Sequence, residues 1–101
     1  MNMKFYKEHI KEELEGAKTY ILWAIELKGS KPAWSKSFVE MSADELKHTE
    51  AVYKMFNEHY NSISSAYKTV PKYLEEEHME IEEMYDRCSS EVKDLHEMYK
   101  Q

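Results

Sequence analysis

A carboxylate at Glu45 and an imidazole at His48 stand three residues apart in DELKH, inside a long stretch free of glycine and proline. Three apart on a helix is one face. Looking at water, the pair is ordinary surface chemistry. Looking at a core, it has lost its hydration and needs a cation, a proton or strong hydrogen bonds in exchange. On a wheel at ~100° per residue, Trp34, Phe38, Met41, Val52, Tyr53, Phe56 and Tyr60 form an apolar stripe. Glu40, Asp44, Lys47, Glu50, Lys54 and Glu58 face the other way. Glu45 falls about on the stripe centre and His48 on its edge, so the pair is expected to face inward.

A second carboxylate joins them. Upstream, Tyr6, Ile10, Leu14, Ala17, Ile21 and Ala24 form one stripe, and Glu8, Glu12, Glu15 and Glu26 point away from it. Glu13 stays within about 60° of the stripe centre. If the two helices pair as an antiparallel hairpin, residues whose numbers add to about 60 share one height. Glu13 then comes level with about residue 47, between Glu45 and His48. Glu13, Glu45 and His48 are therefore the candidate metal ligands and the candidate catalytic residues. Carboxylates with an imidazole suit Fe, Mn or Zn and do not suit soft metals. The plainer alternatives are a structural Glu45–His48 hydrogen bond in the core and a Glu13 carboxylate reaching water from the helix flank.

The elements that must carry these residues follow from sparse punctuation. Two glycines and two prolines in 101 residues leave few places to turn. KGSKPAW, residues 28 to 34, is the clearest break: Gly29 suits a helix end and Pro32 a helix start. NSISSAYKTVPK, residues 61 to 72, is the second, with Pro71 expected in the first turn of a third helix and Thr69 a candidate cap. The helices are placed at about 3–28, 32–62 and 71–99. The fold class is all-α: a helical hairpin plus a third long helix, in a single domain of 1–101.

On the third helix, Leu74, Ile81, Met84, Tyr85, Cys88, Val92, Leu95 and Tyr99 form the stripe. Glu77 lies near it and His78 at its border, without a second inward Glu-x-x-His; Glu75 has the spacing to His78 but points to solvent. Glu77 reads as a charge favouring the helix dipole. His78 and His59 sit beside stripes without a convergent partner, and His9 and His96 read as surface. Cys88 reads as a small packed hydrophobe. Tyr20 and Tyr53 fall near the Glu45 layer and read as core aromatics with hydroxyls at the edge.

Composition excludes several classes. Net charge is −6, from 20 acidic and 14 basic residues, and no basic stripe stands out, which argues against nucleic acid. The single cysteine makes no internal disulfide, and without CxxC there is no rubredoxin-type, iron–sulfur or zinc-ribbon site. No apolar run approaches the ~18 residues of a membrane span. The N-terminal MNMKFYKEHIKEE turns acidic too early for a signal peptide. A cytoplasmic location is expected.

An inward Glu on one helix followed by Glu-x-x-His on the next resembles half of a ferritin-like di-iron site. EGAKTY after Glu13, with Tyr20 seven residues on, and EMSADELKHTEAV are similar to the first- and second-helix signatures of the rubrerythrin branch. The resemblance covers about residues 5–60 and carries Glu13 over as the single-helix ligand and Glu45 and His48 as the paired ones. It implies a ferroxidase-type oxidoreductase acting on Fe(II) with oxygen or peroxide. One chain lacks the second half of such a site. The resemblance therefore implies a homodimer, or a higher homo-oligomer, completing a four-helix bundle with an intersubunit di-iron centre. Short encapsulated ferritins are built on this plan. They would add an encapsulating shell as a partner, although DLHEMYKQ at the C-terminus does not look like their targeting tail. The alternative of a different class is a helical interaction or assembly module with a structural metal site or none.

Overall fold

The first break is tight. In the computed structural model, which describes residues 3–101, α1 (Met3–Leu27) and α2 (Pro32–Ser64) are joined by a few residues in which the Lys31 amide bonds the Leu27 carbonyl at 2.8 Å. Pro32 opens α2, where its missing N–H costs nothing. Gly29 turns without a positive φ, so the turn does not depend on glycine's left-handed freedom. The second break is looser, and α3 (Lys72–Lys100) begins after it. Pro71, expected in the first turn, is instead the cap residue; its carbonyl accepts the amides of Leu74 and Glu75, and no side chain, Thr69 included, caps the helix. No strand occurs among the described residues.

A short turn makes α1 and α2 antiparallel neighbours, and small residues fix their register. The buried positions of α2 are Ser35, Ser42, Thr49 and Phe56, spaced by seven. Ser42 donates to the Ala17 carbonyl at 2.7 Å and Ser35 to the Ala24 carbonyl at 2.5 Å. Both pairs add to 59, one residue from the expected register. Ala17 and Ala24 leave room for the approach, and the hydroxyls bury without penalty because the facing backbone accepts them.

α2 is thus rotated from the face its apolar residues suggest: Phe56 is fully buried as expected, and Phe38, Val52, Tyr53 and Tyr60 pack against the core from its edge. Trp34 and Met41 were expected in the core but are 60% and 41% exposed. The physical reason is that α2 carries two overlapping stripes with a claim to burial, sharing Phe56. A wheel weighted by hydrophobicity prefers the one with Trp34 and Met41. The packing uses the small hydroxyl residues, whose burial depends on carbonyls supplied by another helix.

α3 covers its own hairpin and lies mainly along α1. Lys7 pairs with Glu80 and Lys18 with Glu91, so α1 and α3 run parallel with a constant offset of 73. Tyr6, Ile10, Leu14, Phe56, Leu74, Ile81 and Met84 fill one end of the core, and Ala17, Ile21, Ala24 and Val92 the other. Polar pairs tie α3 to α2 along this length: Ser35 with the Tyr99 hydroxyl, Ser42 with His96 Nε2 at 2.9 Å, and Asn57 with His78 Nε2 at 2.9 Å. The result is a rod of 58 × 19 × 16 Å, with one long flank of the hairpin left uncovered.

Candidate metal centre

The uncovered flank carries Glu13, Glu45 and His48. α1 presents Glu13 one turn before Ala17, α2 presents Glu45 one turn after Ser42, and the Ser42–Ala17 bond brings the two turns level. One ligand atom from each of the three residues lies within 4.8 Å of the other two. The sequence-predicted trio is therefore assembled. Its surroundings differ from expectation: the His48 side chain is 65% exposed, not turned into the core, because α3 occupies the other side of the hairpin.

Glu13 is half-buried, with 18% of its side chain exposed. Its two oxygens have different lives. Oε1 lies 3.1 Å from His9 Nε2. Oε2 is buried without a hydrogen-bond partner, with His48 Nδ1 3.9 Å away. A buried, unpartnered carboxylate oxygen costs free energy of a few kcal/mol.

The second carboxylate feels this. Hydrogen bonding to Glu13 first, and burial second, push the Glu45 carboxyl up from 4.5 to about 7; His48 works in the opposite direction. Two carboxylates this close resist ionising together, and a cation between them would relieve both. A divalent ion there would supply a partner for Oε2, neutralise both acids and accept the His48 nitrogen, so the donor set fits a hard metal.

Several other residues fall elsewhere than expected. His9, read as surface, is half-buried against Glu13, and its four-residue spacing from Glu13 was a signal present in the sequence. His96, also read as surface, is half-buried on Ser42, and burial lowers its pKa. His59 meets the Tyr6 hydroxyl at 3.0 Å, and His78 stacks on Tyr60 at 3.9 Å, so both are satisfied bundle histidines. Tyr53 turns to α3, where it stacks on Tyr85 at 3.8 Å. Tyr20 stays on the site's side, in a cluster with Trp23 and Phe38. Glu77 is half-buried on α3 and outside the ligand group. Cys88 is free and packs against the core. Among the described residues, no helix is long and apolar enough to cross a membrane.

No protein-family model matches the chain, and no curated protein or solved structure matches it.

Proposed function

We propose that the chain is a ferritin-like iron-binding protein that oxidises Fe(II) at a di-metal centre shared by two copies. The observation that carries this reading is the buried, unpartnered Glu13 Oε2 beside a Glu45 carboxyl held toward protonation and the His48 ring. Three ligand side chains per chain are half of what a carboxylate-bridged metal pair takes. Two copies meeting flank to flank supply four carboxylates and two imidazoles around one axis.

The flank itself favours a second copy as its occupant. It is apolar around the ligands: Trp23, Trp34, Met41 and Met55 are all exposed, and Trp23 packs on Phe38 at 5.2 Å. Gly16 adds a separate argument. It lies inside α1, one turn past Glu13, where glycine costs about 1 kcal/mol against alanine. A Cβ there would meet nothing within 4 Å in its own chain. The absent side chain serves no contact within the monomer and would leave room for another helix to approach closely.

In this reading a bound iron pair would supply one-electron chemistry toward oxygen or peroxide. Two Fe(II) held there would supply one electron each, enough to reduce dioxygen with two protons to hydrogen peroxide, or hydrogen peroxide with two protons to two waters. Glu13 and Glu45 would balance the charge, and His48 would add an imidazole nitrogen at the exposed rim. Mn or Zn fits the same donors, and of these zinc, which has no accessible second oxidation state, gives no redox step.

Fe(II)-dependent oxygen consumption tests the assignment. Turnover in the wild type and its loss in Glu45→Ala support it. A protein that binds metal tightly and never consumes oxygen or peroxide supports instead an interaction module with a structural metal, a reading favoured by the same exposed tryptophans.

A further inference from the structure

We propose that His9 is a positioning residue that holds one oxygen of Glu13 so that the other is delivered to the metal; this rests on the metal-binding reading above. His9 precedes Glu13 by four residues, one turn of α1, so the helix itself brings the two side chains together. Nε2 lies 3.1 Å from Oε1, within reach for an N–H donor and a carboxylate. The ring is backed by Phe5, stacked at 5.8 Å with 7° between the planes.

The consequence lies on the far side of the carboxylate. With Oε1 engaged by His9, Oε2 is left on the His48 side, 3.9 Å from Nδ1, and it has no hydrogen-bond partner there. His9 is not itself within the ligand group, so it acts through Glu13. A carboxylate free to rotate would present either oxygen, or both, and would lose orientational entropy on binding an ion. One anchored by an N–H donor presents a single oxygen in a fixed direction. Partners behind a metal ligand typically change affinity by about tenfold to a hundredfold.

The test is anaerobic Fe(II) titration by calorimetry on the full chain, with Co(II) absorption as a second readout. His9→Ala should weaken Fe(II) binding by about tenfold or more and alter the Co(II) band intensity. His9→Gln, which retains a side-chain N–H donor, should recover most of the affinity. His9→Phe, which retains the stack on Phe5 but no donor, should behave as His9→Ala. Thermal unfolding of the metal-free variants should stay close to wild type, since the His9 side chain is 38% exposed. Wild-type affinity in His9→Ala, or rescue by phenylalanine and not by glutamine, overturns the inference while leaving the metal site standing. A wild-type chain that takes up neither ion overturns the parent reading and this one together.

Discussion

Ser42 donates its hydroxyl to the Ala17 carbonyl across 2.7 Å, and that bond sets the height at which Glu13 and Glu45 meet. The same hydroxyl contacts His96 Nε2 at 2.9 Å, so one small side chain ties all three helices at a single layer. Ser42 is fully buried. Ser42→Leu should force the hairpin apart and cost about 1–3 kcal/mol by overpacking, read as a lower denaturation midpoint. Ser42→Ala should cost about 1 kcal/mol, because the Ala17 carbonyl and the His96 ring each lose a partner. Equal stability of all three proteins would show that this layer does not hold the register.

The carboxylate pair makes stability depend on pH. The Glu45 carboxyl rises from 4.5 to about 7 in the folded, metal-free chain, through the Glu13 hydrogen bond first and burial second. Between those values the folded state binds more protons than the unfolded state. The contribution is full below about pH 4.5 and is lost as pH rises through about 7. Glu45→Gln keeps the neutral shape at every pH. In chelator it should be more stable than wild type at about pH 8 and close to it at about pH 4, in guanidinium unfolding at each pH. Parallel pH curves would mean the two acids do not share a proton.

Gly16→Ala separates the monomer from the assembly. A methyl group at this position meets nothing within its own chain, so the substitution should stabilise the helix by about 0.5–1 kcal/mol. If a second copy approaches here, the same methyl should weaken self-association. Dilution followed by sedimentation checks the second effect and thermal unfolding of the dilute protein the first. A variant that is more stable and equally associated removes Gly16 from the interface.

Met41→Lys asks what the open flank is for. Met41 is 41% exposed, one turn before Glu45 on α2, so a lysine there can reach water in the single chain with little loss of fold. In a flank-to-flank pair it would bury a charge twice, once on each side of the axis. Helical content by circular dichroism should be kept while light scattering reports the monomer. Retained association would move the interface to another face.

Much of this was legible in the residues. Gly29 and Pro32 mark the first joint, and the polar run before Pro71 marks the second, within a few residues of the observed helix ends. The meeting of Glu13 with Glu45 and His48 was legible too, because helical spacing and a short turn are enough to align Glu13 with that turn of α2. The rotation of α2 that exposes Trp34 and Met41 and buries its hydroxyl row was not. Ser35, Ser42 and Thr49 look polar in sequence, and only the carbonyls of a facing helix make them core residues. That is a tertiary fact, and it decides where α3 lies and why His48 is exposed. His96 escaped for the same reason, since its partner is a buried serine on another helix. His9 was within reach, through its one-turn spacing from Glu13.

The central claim is that the three donors of one chain are half of a metal centre. Anaerobic loading with Fe(II), followed by light scattering with iron analysis of the same peak, tests it most directly. The expected result is a species of twice the single-chain mass holding about one iron per chain, and a Glu13→Ala variant that holds none. A single-chain mass at full iron loading, or a two-chain species that carries no metal, would contradict it.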